Sequence, residues 1–335
     1  MMQLRPGSAQ WIGGRADQQD ACGFEQDAAG GCRGVLAIVA DGIGGLSDGA
    51  AASRLAVQQM LAAYAGRRPD EPIPQALRHA LSAANRAVYD AACRGAGEYS
   101  MGTTLVAAAV KGDLLYWVSV GDSRLYLYRG ADRSITQCTR DHNYRNELLE
   151  KVAEGRLSRA AAEAEPGGDA LTSFVGMPEI TRIDCNHSPV TLIPGDRVLL
   201  CSDGIHGVLT PDEMAAALGQ EAQAGADAVM AAVKAKGLER QDNSTVAVIA
   251  CGGASAPSES EHPQASPVGR RWRRRLAMLL GFLAALGGGV WIARDLGTWL
   301  PGSGLGDGRP PRPSALPAEI PSTAPLGTGA LPAGH

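Results

Sequence analysis

Val35-Leu36-Ala37-Ile38-Val39-Ala40-Asp41-Gly42-Ile43-Gly44-Gly45 runs six apolar residues into an acid and a glycine-rich turn. A short run rich in Val, Leu and Ile reads as a strand. The strand end fixes the carboxylate of Asp41, and the glycine after it lets a backbone carbonyl turn toward the same point. The arrangement recurs where Leu199-Leu200-Cys201-Ser202 leads into Asp203-Gly204. Gln241-Asp242-Asn243 stands just before another apolar run, and Arg15-Ala16-Asp17-Gln18-Gln19-Asp20 lies near the start. Taken singly, an Asp-Gly after a strand is a turn. Several such carboxylates converging on one point repel each other unless cations hold them. Hard oxygen ligands of this kind select Mg²⁺ or Mn²⁺ over zinc.

Outward from these acids, further strands are predicted at Leu105–Val110, Leu114–Val120, Val198–Cys201 and Thr245–Ala250. Arg124–Arg129 alternates polar and apolar residues and predicts a half-exposed strand. Short turns such as Lys111-Gly112-Asp113 favour antiparallel pairing over a βαβ crossover. Helices are predicted at Gly49–Tyr64 and at Pro74–Arg94, where Leu77, Leu81, Ala84 and Val88 share one stripe. A third is predicted to start at Thr210-Pro211-Asp212-Glu213, with Thr210 as cap and Glu213 completing a capping box. Helices segregated from groups of strands make the class α+β.

The 335 residues hold 45% hydrophobic and 20% charged residues, so most of the chain is neither fibrous nor disordered. The net charge of −4 argues against a chain-wide nucleic-acid binder. The charge is uneven: residues 1–253 carry 23 Lys+Arg against 30 Asp+Glu, and residues 254–335 carry 8 against 5. Seven scattered Cys with no CxxC pair suit reduced, buried thiols better than disulfides or a zinc site. No apolar run near the N-terminus suits a signal peptide, so the first part of the chain is expected to stay in the cytoplasm.

Residues 1–253 read as one domain. Residues 254–275 form a linker that ends in the basic cluster Arg270-Arg271-Trp272-Arg273-Arg274-Arg275. Residues 276–293 follow, 18 without a charge; as a helix they extend roughly 27 Å, enough for a bilayer core. Five Arg before this span and one after it orient a single transmembrane helix with the first domain inside the inner membrane. The tail, 294–335, is rich in Pro and Gly, is predicted to be disordered and would lie outside.

The motifs together resemble the metal-dependent, PP2C-like (PPM-type) serine/threonine protein phosphatase family of bacterial type. The resemblance rests on RADQQDA (15–21), VADGIGG (39–45), MGTTL (101–105), VGDSRLYLYR (120–129), TRDHN (139–143), LLCSDGI (199–205) and DNSTV (242–246), in the family's order. It implies a four-layer α-β-β-α sandwich of two antiparallel sheets flanked by helices. It implies that Asp41 bridges two Mn²⁺ or Mg²⁺ ions, with the Gly42 carbonyl as a further ligand, and that Asp203 and Asp242 complete the first site. Asp20 would bind metal directly or through water, Asp122 would hold a third and weaker ion, and Arg15 would grip the substrate phosphate. Asn243 would orient Asp242. The reaction implied is hydrolysis of phosphoserine and phosphothreonine on proteins by a metal-activated water, opposing a Ser/Thr protein kinase. The alternative is an inert phosphatase-like module that binds phosphoproteins.

Three positions depart from the family pattern. Ile43 stands where some members have a His that protonates the leaving oxygen. Gln19 stands where many have Glu. Tyr144–Gly168 would correspond to a mobile flap, and its sequence carries no substrate signal. His142 and His206 are read as structural, and His79 as solvated.

Overall fold

The computed structural model describes residues 2–26, 34–43, 48–95, 97, 100–219 and 221–252. In chain order the elements are β1 (Gln3–Trp11), β2 (Asp20–Gln26), β3 (Val35–Asp41), α1 (Gly49–Ala65), α2 (Ile73–Arg94), β4 (Leu105–Lys111), β5 (Leu114–Val120), β6 (Arg124–Tyr128) and β7 (Ile135–Gln137). Then come α3 (Tyr144–Ala153), α4 (Arg159–Ala164), β8 (Asp184–Cys185), β9 (Val190–Thr191), β10 (Arg197–Cys201), α5 (Asp203–His206), α6 (Pro211–Ala217), α7 (Ala222–Ala235) and β11 (Ser244–Gly252). One sheet has the order β1-β11-β10-β6-β7; the other is β2-β3-β4-β5-β8, with β9 also beside β5. Neighbouring strands are antiparallel throughout.

Side-chain parity turns two sheets into four layers. On β3, Val35, Ala37 and Val39 point toward the facing sheet and pack with Leu125, Leu127, Val198, Leu200 and Ile249. Leu36, Ile38 and Ala40 point the other way, against Ala56 and Met60 of α1 and Leu77 and Leu81 of α2. The outer face of the first sheet, with Tyr126, Leu199 and Val248, is covered by Met214 of α6 and Val229 and Val233 of α7. A strand buried on both faces has no solvent side, which is why Val35–Ala40 is uninterrupted by polar residues. The layers are α-β-β-α, as predicted.

The capping box on α6 forms: the Thr210 hydroxyl accepts from the Glu213 N–H, and the Glu213 carboxylate accepts from the Thr210 N–H. The half-exposed reading of Arg124–Arg129 is corrected. β6 lies inside its sheet between β10 and β7, and Leu125–Tyr128 are buried. Tyr126 reads as polar in the sequence, yet its ring is buried while its hydroxyl accepts from Arg124 Nη1 at 3.1 Å. Tyr144–Gly168 carries the short helices α3 and α4, capped by the side chains of Asn143 and Ser158.

The topology brings the acids to one end of the sandwich. Asp20 heads β2 directly opposite Asp41 at the end of β3. Asp122 follows β5, Asp203 follows β10 and Asp242 precedes β11. By internal contacts the chain divides into Met1–Glu259 and Ser260–His335. Gly44, Gly45, the predicted linker 254–275, the span 276–293 and the tail 294–335 lie outside the described residues. Among the described residues no helix is long and apolar enough to cross a membrane.

Candidate active site

Asp41, Asp122, Asp203 and Asp242 line one cleft of about 400 Å³, each from a different turn. Arg15, Gln19, Gly42 and Asn243 share the polar wall, and Ile43, Leu171 and Phe174 form an apolar one. Asp169 stands at the edge, paired with Arg145 at 3.2 Å. Asp20 lies buried below, where its Oδ2 accepts from the Ser202 hydroxyl at 2.8 Å.

Asp41 and Asp122 are fixed through their backbones and Asp242 through its carboxylate. The Asp41 N–H donates to Thr104 Oγ1 at 3.0 Å, and its carbonyl accepts from Thr103 Oγ1 and the Thr104 N–H, both at 2.8 Å. Gly42 is packed so closely that a Cβ there would lie 2.3 Å from the Gly49 carbonyl oxygen and 2.7 Å from that of Gln19. The Gly121–Ser123 turn is held from three sides. His142 Nδ1 accepts from the Gly121 N–H at 3.1 Å, Ser123 and Thr104 share a hydroxyl bond of 2.7 Å, and His206 Nε2 donates to the Asp122 carbonyl at 3.1 Å. His206 thereby ties the turn carrying Asp122 to the one-turn helix that begins at Asp203. Asn243 donates its N–H to Asp242 Oδ1 at 2.8 Å and its amide to the Ile12 carbonyl at 2.8 Å, and accepts from the Gln19 N–H at 2.7 Å. It anchors Asp242 and the loop after β1 together.

The electrostatics follow from packing acids with little compensation. Burial first, then the charges of Asp20 and Asp203, hold Asp41 well above the usual carboxylate range. Burial likewise lifts Asp203, raises Asp20 to about 6 and raises Asp122 to about 7, with the Asp203 charge adding to the last two. Burial pushes His142 down and His206 down to about 4. Arg15 is the cation in the cleft, and its Nη2 donates to Asp242 Oδ2 at 2.5 Å.

The donor set fits hard divalent cations. It consists of carboxylate oxygens plus the carbonyl of a glycine in a close-packed turn. Asp20 Oδ1 and Asp203 Oδ1 are buried without a hydrogen-bond partner, a costly state for such oxygens that a cation relieves. Among the described residues no three His, Cys, Asp or Glu side chains are drawn into a ready-made metal sphere. The acids stand on separate turns, with Arg15 folded onto one of them.

Every residue that the motifs nominate, Arg15, Asp20, Asp41, Gly42, Asp122, Asp203 and Asp242, lies at this end of the sandwich, with Asp20 beneath the surface. His142 and His206 do not line the cleft; each spends a ring nitrogen on a backbone group. His79 is exposed and hydrogen-bonded to Glu71 at 2.7 Å. The sequence reading missed Leu171, Phe174 and Asp169. They belong to a stretch without periodicity, joined to the frame by isolated bridges Asn143↔Leu171 and Thr103↔Val175. It also missed Ser202 and the paired Thr103 and Thr104, which carry backbone clamps rather than charge.

A two-sheet sandwich whose edge gathers buried carboxylates opposite an arginine defines a class of metal-dependent phosphate-ester hydrolases. Within it, the Protein phosphatase 2C family profile matches residues 12–245, and the chain belongs to that family. It is 32% identical over 206 residues to the protein phosphatase PhpP of Streptococcus pneumoniae, covering 60% of this chain and 78% of that one. The catalytic domain of the serine/threonine phosphatase PstP, solved with two manganese ions, superposes with a TM-score of 0.60 at 28% identity, covering 76% of this chain and all of that one. PppA, a regulatory component of the type VI secretion system in Pseudomonas aeruginosa, superposes at 0.58 with 30% identity, covering 74% and 97%. The protein is a serine/threonine protein phosphatase dependent on Mn²⁺ or Mg²⁺.

Proposed function

We propose that Asp20, Asp41, the Gly42 carbonyl, Asp203 and Asp242 hold two divalent ions, that Asp122 serves a third, and that Arg15 binds the phosphoryl group of phosphoserine or phosphothreonine on a protein. The observation that carries this reading is the cleft itself: acids from four turns face Arg15 above two partnerless buried carboxylate oxygens. When bound, the ions supply an activated water and offset charge on the phosphoryl oxygens. Arg15 presents a planar fork that suits two phosphoryl oxygens, which Lys would serve less well. To do so it gives up Asp242, freeing that carboxylate for a cation in the same exchange. Thr103, Thr104, Asn243 and His206 keep the acids in place through the backbone. Ile43 has no proton to donate and neither His142 nor His206 lines the cleft; in this reading the leaving oxygen would take its proton from water. The full chain is expected to release phosphate from a phosphothreonine peptide in Mn²⁺ and to stop in EDTA; turnover that survives EDTA would refute the assignment.

A Ser/Thr protein kinase is the natural opposing partner. In the same reading, residues 276–293 anchor the enzyme in the inner membrane, with the catalytic domain in the cytoplasm and the tail outside. The support is the uncharged span behind five arginines. Anchoring would raise the effective concentration of envelope-associated substrates. A reporter fused after His335 is expected to be active only outside the cytoplasm, and cytoplasmic activity would exclude the single span.

A further inference from the structure

We propose that a second cleft, between Arg78, Arg140 and Arg182, takes another phosphoryl group carried by the same protein substrate. This rests on the phosphatase reading above. The cleft, of about 490 Å³, is bounded by Arg78 of α2, Arg140 and His142 of the loop after β7, Glu150 of α3, and Arg182 and Asp184 of the loop before and into β8.

Its two carboxylates are already engaged. Glu150 accepts from Arg182 Nη1 at 3.0 and 3.2 Å. Asp184 Oδ2 accepts from the Arg140 backbone N–H at 3.2 Å and the Trp117 indole at 3.3 Å. Among the described residues, the side chains of Arg78 and Arg140 have neither an ion-pair nor a hydrogen-bond partner, and both are exposed at the cleft. Two unpaired guanidinium forks present donors that match phosphoryl oxygens bidentately. The volume exceeds what a bare phosphate ion needs and leaves room for the residue that bears it.

The position of the cleft points to the substrate of the neighbouring site. His142 is a shared partition: it lines this cleft, while its Nδ1 accepts from Gly121, the residue before Asp122 on the wall of the acidic cleft. The segment from Leu171 to Asp184 lines the acidic cleft at Leu171 and Phe174 and the basic one at Thr181 and Arg182. The Thr172 N–H donates to the His142 carbonyl at 2.9 Å, locking the two walls together. One polypeptide crossing this partition reaches both clefts.

The test uses the full chain and fluorescent peptides carrying one phosphothreonine, or two with the second stepped along the chain on either side. Binding is measured in EDTA, where turnover does not intervene, and hydrolysis in Mn²⁺. At the best spacing the doubly phosphorylated peptide is expected to bind about tenfold more tightly, about 1.4 kcal/mol, and to show a correspondingly lower KM. Arg78→Glu with Arg140→Glu removes that preference, raising KM for the doubly phosphorylated peptide while leaving kcat and KM for the single one unchanged. Inorganic phosphate distinguishes the source of the anion. If phosphate blocks the basic cleft but no doubly phosphorylated peptide is preferred, the cleft takes free phosphate and the proposal falls. No preference at any spacing, or equal KM increases for both peptides, likewise overturns it. Failure of all peptides to turn over, with the binding preference intact, would defeat the catalytic reading and leave this one standing.

Discussion

Replacing Asp41 by Asn is expected to lower kcat on a phosphothreonine peptide by about a thousandfold, the loss seen when a preorganised electrostatic group is removed from a reaction centre. The same substitution is expected to leave the metal-free protein at least as stable as the parent. Asp41 sits among Asp20, Asp203 and Asp122, whose charges together with burial already favour its neutral form. Asn has the same shape, retains a donor and brings no charge, so nothing is lost in the absence of cations. The cost falls on the ligand role alone. Melting in EDTA and turnover in Mn²⁺ separate the two effects. A variant that melts well below the parent in EDTA would mean that Asp41 is a structural acid.

The metal-free protein is expected to lose stability as pH rises from about 4 to about 7, by on the order of 5 °C in Tm. The sign follows from linkage. Asp20 and Asp122 start from 3.8 and are raised to about 6 and about 7 in the folded chain. Between the unfolded and folded values these two acids hold more protons in the native than in the unfolded state, so their contribution falls with pH until both have ionised. His206, held down to about 4, works the other way over the same range but by less than the two acids together. Mn²⁺ competes with those protons, and its stabilisation is accordingly greatest at neutral pH and smallest near pH 4. Melting curves in EDTA and in Mn²⁺ across this range are the check; metal-free curves independent of pH would show that the acids are not crowded.

Much of the fold was legible because its central strands are buried on both faces. Val35–Ala40 and Leu105–Val110 carry unbroken apolar runs for that reason, and their ends mark where acids are fixed. β1 was not legible: Pro6 and Gly7 interrupt it. The structure explains both, since β1 is an edge strand, where a proline is tolerated, and a Cβ on Gly7 would lie 2.4 Å from the backbone of Gln223 in α7. α7 itself, Ala-rich with an unremarkable start, offered no cap to read. At the site, the acids announced themselves through motif context. The pairing of Arg15 with Asp242 spans 227 positions and has no local signature. The apolar wall of Leu171 and Phe174 is likewise set by tertiary bridges alone.

The acids come from both sheets: Asp20 and Asp41 lie in, and Asp122 just after, the strands of one, while Asp203 and Asp242 flank those of the other. In the proposed reading, cations held by both groups would act as rivets across the seam where the two sheets meet. A chain with only one sheet formed would own half of the proposed ligand set and have no chemistry to offer. Activity would thus certify that the whole sandwich has closed, and a phosphatase of this build would be silent through every earlier stage of its own assembly.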